Sequence, residues 1–339
     1  MTKNAILFVN LGSPKSPELA DVKTYLKEFL MDKYVIDAVY PLRWFIVNKL
    51  ILPKRPKESS AAYKTIWTED GSPLISISKK FLEKISPTLK DPAYLAMRYQ
   101  DPSIQIVLSE ICKSHPNLKT ITLCPMYPHY AMSSVTTVVE KTKNDLKKIN
   151  PSIQLKIIPP FYNNPKYIAS LSRSLTPYLK PNAYVLFSYH GLPERHLMKT
   201  DTTGSHCLKV NNCCEVPSDA HKTCYFHQIK QTTALVAQSC QLKEGQFSFA
   251  CQSRLGKDPW IKPYTDLEIV EIIKKGFKNI VVISPSFVAD CLETIEELGD
   301  RLRSDWTKNG GESFDLVPCL NTEDHWIENF SDLVKETVS

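Results

Sequence analysis

A histidine next to a glycine follows one of the apolar runs of the chain. His190 comes directly after the run Tyr184–Tyr189 and precedes Gly191, within the segment Ser188–His196. The carboxyl end of a strand is where α/β proteins expose ligand-binding side chains. Imidazole titrates near neutral pH and takes protons from weakly acidic N–H groups. His190 is therefore a candidate general base, although a histidine that only caps a turn is the commoner interpretation of a single such residue.

A second candidate site is a cluster of carboxylates at the start of a helical pattern. Asp290, Glu293 and Glu297 are spaced i, i+3 and i+7, which places them on one face of an α-helix, and Glu296 and Asp300 extend the cluster. Oxygen ligands together with one imidazole suit a transient Fe²⁺ site. The alternative is helix capping, because carboxylates stabilise a helix N-terminus and the first two residues also fit a capping box.

A tryptophan between two prolines is the third candidate. Trp260 lies between Pro259 and Pro263, shortly after the apolar run Gln246–Cys251. Its indole ring is flat and large enough to stack on an aromatic ligand. Packing in the hydrophobic core is an equal alternative for this residue.

Four cysteines lie in Asp201–Cys224, a polar segment without hydrophobic periodicity. They are Cys207, Cys213, Cys214 and Cys224. Four thiolates in one loop are typical of a [2Fe–2S] cluster or a structural Zn²⁺ site, and the adjacent cysteine pair is unusual for zinc. Three histidines are alternative ligands: His206, His221 and His227. An unligated loop and two disulfides are the remaining interpretations, and disulfides are rare where thiols are kept reduced.

These candidates lie at the ends of apolar runs that alternate with helical patterns. Most runs lack the alternation of half-exposed strands, as expected for strands covered on both faces. The predicted strands are Ala5–Asn10, Tyr94–Arg98, Thr120–Pro125, Gln154–Ile158, Tyr184–Tyr189, Gln246–Cys251 and Asn279–Ser284. The predicted helices include Asp21–Met31, Ile75–Ile85, Ile104–Ser114, Ser134–Lys148, Lys166–Leu175, Thr232–Gln238, Asp266–Lys275 and Cys291–Asp305. This alternation predicts an α/β fold with parallel sheets.

A helix end at Pro177–Pro181 divides the chain into two predicted doubly wound lobes. We expect a first lobe over 1–178 and a second over 179–320, with the cysteine-rich insertion at 201–224. A C-terminal helical segment covers 321–339. Ligands of such folds bind beyond the carboxyl ends of the strands, so the loops after the strands should carry the site.

Long strings of the sequence resemble the signatures of the ferrochelatase family. In the second half of the chain they are Phe187–His196, Gln252–Gly256, Pro259–Asp266 and Phe287–Glu297. In the first half they are Val9–Pro14, Met97–Tyr99 and Tyr127–Tyr130, and Val317–Asn321 matches near the end. The match covers nearly the whole chain in order, and the length of the strings makes it highly specific.

The resemblance implies a chelatase-like fold of two Rossmann-like lobes that grip a bent porphyrin. The implied activity is insertion of ferrous iron into protoporphyrin IX, the terminal step of haem biosynthesis. His190 matches the base that accepts the pyrrole protons, and Glu293 matches the acid on the metal and proton path, so both would contact the substrate Fe²⁺. Asp290 and Glu296 match the acidic face through which protons leave. Residues that match the porphyrin pocket are Leu11, Arg98, Tyr130 and Trp260.

Some positions depart from parts of the family. Leu11 stands where coproporphyrin-using members carry Tyr, which favours protoporphyrin IX as the substrate. Cys291 stands where animal members carry His, so a ligand of that kind is missing. Met132 stands where animal members place a cluster cysteine, and no Cys follows Asn321, so the animal-type iron–sulfur site is absent. Because some relatives carry a [2Fe–2S] cluster, we rank that cluster first for the insertion, Zn²⁺ second and no metal third.

Two other functions fit the same motifs. One is a chelatase for another tetrapyrrole or metal, such as coproporphyrin III or cobalt. The other is a non-catalytic haem or iron–sulfur sensor on the same fold. The presence of both His190 and Glu293 argues against the sensor.

Composition and hydropathy limit the partners and the compartment. The chain of 339 residues has a net charge of +6, which suits acidic small molecules or an anionic membrane surface but is too weak to predict nucleic-acid binding. No apolar run reaches the ~18 residues of a membrane-spanning helix, and the start of the sequence does not resemble a signal or transit peptide. We therefore expect a cytoplasmic protein.

One segment is apolar with interspersed basic residues. Within Tyr34–Pro56, Trp44, Phe45 and Lys49 suit a helix that lies on a bilayer surface. Packing of this segment over the first lobe as ordinary core is an equal alternative. The prediction is at most peripheral contact with the inner face of a membrane.

Overall fold

The structure, a computed structural model, describes residues 2–254, 256 and 258–338. Met1, Leu255, Lys257 and Ser339 lie outside the described residues. Leu255 belongs to the matched string Gln252–Gly256, and Met1 and Ser339 are end residues of the predicted first lobe and C-terminal segment. The chain divides into two compact units. The first comprises Met1–Tyr127, Met132–Pro160 and Phe330–Ser339, and the second comprises Pro128–Ala131 and Phe161–Asn329.

The first unit is built on a parallel sheet of four strands in the order β2-β1-β3-β4. The strands are β1 (Asn4–Asn10), β2 (Ala93–Met97), β3 (Thr120–Pro125) and β4 (Gln154–Ile157). β1 is buried along nearly its whole length, which accounts for its continuous apolar sequence. The order reverses between β1 and β3, so the loops that follow these two strands flank the switch point where doubly wound folds bind ligands.

Helices of the first unit cover this sheet. They are α1 (Leu19–Leu30), α2 (Tyr40–Phe45), α3 (Arg55–Ile66), α4 (Pro73–Ile85), α5 (Ile104–Ser114) and α6 (Thr137–Ile149), with a 3₁₀ turn at Ser86–Thr88. In α5, Ile104, Val107, Leu108 and Ile111 form one buried stripe at helical spacing, which packs with β1 and β3 in the core. Ser103 caps this helix by accepting a hydrogen bond from the amide of Ile106.

The second unit repeats the architecture with the strand order β6-β5-β7-β8, again entirely parallel. Its strands are β5 (Ala183–His190), β6 (Phe247–Gln252), β7 (Asn279–Ile283) and β8 (Ser313–Leu316). Its helices are α7 (Pro165–Leu175), α8 (Glu194–Thr200), α9 (Tyr225–Ser239), α10 (Thr265–Lys274) and α11 (Arg303–Lys308), with 3₁₀ turns at Thr176–Tyr178 and Asp219–Lys222. The predicted α/β class with two doubly wound parallel-sheet lobes is confirmed.

Three helical segments have π-helical rather than α-helical hydrogen bonding. They are Ile46–Ile51 after α2, Met132–Thr136 before α6, and Glu293–Leu302 before α11. The sequence predicted ordinary helices over the last two, because hydrophobic periodicity over one or two turns does not distinguish the two windings. π-Helical turns are uncommon in proteins, and many of those that occur lie at functional sites. Glu293–Leu302 is therefore a candidate part of such a site.

The chain is divided at different points from those expected. The units change between Pro160 and Phe161, whereas the sequence predicted a boundary near 178/179. α7 packs against α9, so it groups with the second unit. The final helix, α12 (Asp324–Val338), contributes to both units, which meet in sequence at Asn329 and Phe330. Strand β8 was not predicted, because this short edge strand buries only Phe314 and therefore shows no apolar run.

Candidate active site and cysteine loop

His190 is the last residue of β5, beside the switch point of the second sheet. It is partly buried and lies in register with Gln252, the last residue of β6. Its Nδ1 lies 2.6 Å from the carbonyl oxygen of Gly191. A carbonyl only accepts hydrogen bonds, so Nδ1 carries the ring proton and Nε2 keeps the lone pair. The backbone thus selects the tautomer in which Nε2 is the base.

The glycine after this histidine allows close packing at the strand end. A Cβ on Gly191 would lie 2.7 Å from the carbonyl oxygen of Gln252 and 3.2 Å from the ring of Trp260. The Gly191 amide donates to the same Gln252 oxygen at 2.8 Å. Trp260 is therefore adjacent to Gly191, the residue after the candidate base, and it also pairs with Pro193 in a β-bridge.

The acidic helix after β7 is tied to the end of β6. Gln252 donates to the backbone carbonyl of Glu293 at 2.9 Å and to the carboxylate of Glu297 at 3.2 Å. The Ser253 hydroxyl donates to the same carboxylate. Because Gln252 also pairs with His190 in the sheet, one side chain links the strand of the candidate base to both acids.

The three glutamates of this π-helical segment have different neighbours. Glu296 is paired with Arg301, whose guanidinium nitrogens lie 3.0 and 2.6 Å from it. Glu297 is held by the contacts to β6. Glu293 instead receives a hydrogen bond from the thiol of Cys291, whose pKa is raised well above its usual value by burial and by this carboxylate. Glu293 therefore has a neutral donor rather than a cation beside it.

Asp290 fastens the start of the acidic segment to the loop after β8. Its carboxylate accepts hydrogen bonds from the side-chain amide of Asn321 at 2.6 Å and the hydroxyl of Thr294 at 2.9 Å. Its own amide donates to Asn321 at 2.8 Å. These contacts engage both carboxylate oxygens, so Asp290 holds the start of the acidic segment against the loop after β8.

Arg98, predicted for the porphyrin pocket, belongs to the first unit and is anchored within it. Its guanidinium forms an ion pair with Asp32 and donates from Nε to Thr137 at 2.6 Å. The side chains of Arg98 and Asp32 are only 12% and 4% exposed. Tyr99 donates to the same carboxylate at 2.9 Å. Asp32 was missed in the sequence, where nothing distinguishes it from other acidic residues at a helix end.

The other predicted pocket residues are placed by backbone contacts. Leu11 follows β1 in the first unit and is partly buried, and its carbonyl accepts from the amide of Tyr99 at 2.9 Å. Tyr130 is partly buried in the second unit, where its amide donates to the side chain of Gln228 at 2.7 Å. His190, Glu293 and Trp260 belong to the second unit as well.

Two further residues adjoin the candidate base and were not singled out in the sequence. Tyr225, the first residue of α9, donates from its hydroxyl to the carbonyl oxygen of His190 at 2.8 Å. Its ring contacts that of His129 at a centroid distance of 5.9 Å. Burial lowers the pKa of His129 to about 3, so this imidazole is neutral. Only the tertiary fold brings these segments together, so no local signal identified them.

The four predicted cluster cysteines lie together in the loop before α9. Cys224 is hydrogen-bonded to the thiols of both Cys214 and Cys207, and Cys213 adjoins Cys207 and Cys214. The hydrogen bond from Cys214 lowers the pKa of Cys224 to about 6. All ten cysteines are free thiols. The disulfide interpretation of the insertion is therefore wrong.

The histidines of the loop hold its backbone. His206 and His221 donate from Nε2 to the carbonyl oxygen of Cys213 at 2.7 and 2.9 Å. His227 donates from Nδ1 to the carbonyl oxygen of Cys214 at 2.8 Å and stacks on His221 at 3.6 Å. These three nitrogens carry protons, and a protonated nitrogen has no lone pair for a metal.

An aspartate orders the first half of the same loop. Asp201 accepts the amide hydrogens of His206 at 2.7 Å and Cys207 at 2.9 Å, and that of Thr203 at 2.9 Å. The polar contacts show that the polypeptide contributes to the order of this loop.

The donor set of this loop distinguishes the two metal groups considered. Among residues 2–254, 256 and 258–338, no group of three or more His, Cys, Asp or Glu side chains is arranged around a single metal ion. A structural Zn²⁺ takes four ligands around one point, whereas a [2Fe–2S] cluster takes two thiolates at each iron. Four adjacent sulfur atoms match the four thiolate ligands of a two-iron cluster.

Comparisons with known proteins agree with the geometry. A family model described as ferrochelatase matches residues 3–338. The chain is similar to the ferrochelatases of Pseudomonas syringae pv. tomato (44% identity over 335 residues, 98% of each chain) and Pseudomonas fluorescens strain Pf0-1 (45% over 337 residues, 98% of each). It resembles the structure "SirB from Bacillus subtilis with Fe3+" in fold, with a TM-score of 0.57 at 12% identity over 100% of this chain and 96% of that one. The chain belongs to the ferrochelatase family.

Proposed function

We propose that this protein inserts ferrous iron into protoporphyrin IX to form protohaem, the terminal step of haem biosynthesis. The observation that carries the proposal is the tautomer of His190, in which Nδ1–H is committed to Gly191 and Nε2 is a free base. His190 lies at the switch point of the second sheet, where the side chain of Gln252 links the neighbouring strand to the acidic helix.

The reaction exchanges two pyrrole N–H protons for one Fe²⁺, with no change in the oxidation state of the iron. In the proposed mechanism Nε2 of His190 takes a pyrrole proton. Glu293, beside the neutral thiol of Cys291, accepts a proton or contacts the incoming iron, whereas Glu296 is paired with Arg301. Trp260 stacks on the macrocycle.

An anaerobic insertion assay tests the activity and its specificity. We expect Fe²⁺ insertion into protoporphyrin IX to exceed insertion into coproporphyrin III, because Leu11 replaces the tyrosine of coproporphyrin-using members. Preference for coproporphyrin or for Co²⁺ would favour another chelatase, and no insertion at all would favour a sensor. His190→Ala should abolish turnover while far-UV circular dichroism stays unchanged, and a folded, active variant would refute the base assignment.

We further propose that the four cysteines of the loop hold a [2Fe–2S] cluster: Cys207, Cys213, Cys214 and Cys224. The support is the adjacency of the four sulfur atoms. The cluster would tie together the two ends of the loop before α9. Iron insertion requires no electron from it.

The colour of the purified protein tests this assignment. We expect thiolate-to-iron charge-transfer absorption and two irons per chain, and bleaching when any one of the four cysteines is replaced by Ser. Cys251, buried in β6, is the matched control, and Cys251→Ser should keep its colour. A colourless protein with one zinc per chain would refute the cluster and leave the chelatase activity intact.

We also propose a cytoplasmic protein that touches the inner face of a membrane through one apolar lip, residues 39–50. Six apolar side chains of this lip are 42–72% exposed: Val39, Tyr40, Leu42, Trp44, Phe45 and Leu50. Val47 is fully buried in a cluster with Leu30 and Leu52 and anchors the lip to the first unit. Exposed Trp and Phe side chains suit a segment that lies at a bilayer surface. No helix within the described part of the chain is long and apolar enough to span a bilayer.

Vesicle flotation tests the lip. We expect binding to vesicles that contain anionic phosphatidylglycerol and its loss in Trp44→Ala/Phe45→Ala. Leu267, which is 55% exposed on α10, provides the matched control, and Leu267→Ala should bind like the unchanged protein. Equal binding of both variants would contradict the proposed contact.

A further inference from the structure

The cysteine loop is connected directly to the residue that holds the candidate base. Cys224 precedes α9 as its N-cap residue, and Tyr225 is the first residue of the helix. The first helical turn is tied to the loop as well, because Gln228 donates to the carbonyl oxygens of His221 and Lys222 at 3.2 and 3.1 Å. A change of position at Cys224 therefore moves Tyr225 with it.

The Tyr225 hydroxyl determines the orientation of the peptide between His190 and Gly191. It donates to the carbonyl oxygen of His190 at 2.8 Å, while the amide of Gly191 donates to Gln252 at 2.8 Å on the opposite side. The next carbonyl, that of Gly191, accepts the imidazole Nδ1–H. The tautomer and the direction of the base thus depend on a peptide held by two hydrogen bonds, one of them from Tyr225.

The same hydroxyl reaches the loop after β7. Its oxygen lies 2.9 Å from the hydroxyl of Ser286. Because the phenolic hydrogen is committed to His190, Ser286 is the donor in this pair. Tyr225 is 5% exposed, so water does not replace these contacts readily. The residue therefore lies where the cysteine loop, the base and the segment leading to the acidic helix meet.

We propose that Tyr225 is a positioning residue that holds His190 in its reactive orientation and transmits the state of the cysteine loop to it. The proposal rests on the proposed roles of His190 and of the four-cysteine loop. Loss of the group bound at Cys224 frees the first turn of α9, withdraws the Tyr225 hydroxyl and leaves the peptide at His190 held from one side. The loop then affects catalysis through geometry alone, without any change in oxidation state.

Tyr225→Phe removes the hydroxyl and keeps the ring. We expect kcat to fall by up to about 100-fold with little change in the KM for protoporphyrin, because the base is misaligned but the pocket is intact. The visible absorption of the protein should be unchanged, and the Nδ1–H resonance of His190 in ¹⁵N–¹H spectra should broaden or disappear. Tyr184→Phe is the matched control, since Tyr184 is buried near the other end of β5 and packs on Phe277. A normal kcat with an intact resonance in Tyr225→Phe would overturn the proposal.

A double-mutant comparison tests the transmission. If Cys224 acts through Tyr225, then Cys224→Ser/Tyr225→Phe should be no slower than Cys224→Ser alone, and Cys207→Ser should behave like Cys224→Ser. Multiplicative losses would overturn the transmission. Unchanged colour in Cys224→Ser would overturn the cluster and the transmission together, whereas the result for Tyr225→Phe alone decides the positioning of His190.

Discussion

Hydrogen bonds at single residues separate the roles of chemically identical side chains. Glu293, Glu296 and Glu297 are all glutamates of one helical segment, yet a thiol, an arginine and two donors from the end of β6 are their respective neighbours. A carboxylate that is paired with a cation or that accepts several hydrogen bonds has a structural role. In the proposed mechanism the carboxylate beside a neutral thiol, that of Glu293, is the one that takes protons or contacts iron.

Substitution of two of these glutamates tests that division. We expect Glu293→Gln to lower kcat by about 100-fold or more, because an amide neither accepts a proton nor carries a charge for iron. Glu297→Gln should lower kcat much less, since the amide oxygen still accepts from Ser253. Steady-state kinetics with Fe²⁺ and protoporphyrin IX measures both, and equal losses would show that the acidic residues are misassigned.

A buried carboxylate in the first unit makes a comparable prediction for stability. Asp32→Ala leaves the guanidinium of Arg98 buried without its partner, which should cost about 3–5 kcal/mol of unfolding free energy. The exposed ion pair between Asp70 and Lys80 is the control, and Asp70→Ala should leave the urea midpoint unchanged. Similar midpoints for both variants would contradict the anchoring role of Asp32.

At the scale of the elements, turns after the central strands bring backbone very close to backbone. Gly12, after β1, has φ +101°, and a Cβ there would lie 1.9 Å from the carbonyl oxygen of Tyr99. Gly191, after β5, would place a Cβ against the backbone of Gln252. Both glycines adjoin predicted site residues, Leu11 and His190. The close approach of neighbouring loops therefore shapes the carboxyl ends of both sheets.

Gly12→Ala should destabilise the protein more than Gly71→Ala. Both positions have a positive φ, but nothing lies within 4 Å of a Cβ on Gly71. We expect a cost of about 1 kcal/mol at Gly71, from the strained backbone alone, and at least ~2 kcal/mol at Gly12, where a backbone atom must also move. Urea unfolding of the two variants measures the difference in unfolding free energy. Equal costs would mean that the loop after β2 moves away from the added Cβ without a cost of its own.

For the whole molecule, acid stability should depend on a buried neutral histidine. His129 donates from Nε2 to Thr232 at 2.9 Å, since the Thr232 hydroxyl donates to the carbonyl of Tyr162. Its pKa is about 3 in the folded protein, because burial disfavours the imidazolium, against 6.5 as the ordinary value. Between about pH 3 and pH 6.5 the unfolded chain therefore binds a proton at His129 that the folded chain does not bind.

The expected pH dependence follows from that difference in protonation. The contribution of His129 to stability is fully present above pH 6.5 and is lost as the pH falls from 6.5 towards 3. Between pH 7 and pH 4.5 the unchanged protein should lose about 2–3 kcal/mol more unfolding free energy than His129→Gln, whose amide keeps the donor to Thr232. Urea unfolding at the two pH values measures this, and parallel losses would refute the neutral buried state.

The sequence by itself determined the fold class and the family. Apolar runs without alternation predict strands covered on both sides, and seven of the eight strands were found in this way, whereas the edge strand β8 has too little buried surface to show a pattern. The strings around His190, Trp260 and Glu293 each consist of consecutive residues, so they could be recognised in the sequence. The four cysteines were likewise visible as a group because they are close in sequence.

Only the tertiary structure decided which atoms of these residues are available. The tautomer of His190 depends on the carbonyl of Gly191. The preceding carbonyl, that of His190 itself, accepts from Tyr225, which is 35 residues away in sequence. The anchoring of Arg98 depends on Asp32, which is 66 residues away, and the division among the glutamates depends on the end of β6 and on a π-helical winding. Hydrogen-bond donors and acceptors act within about 3 Å. Partners that distant in sequence meet only when the sheets assemble, so no local pattern records them.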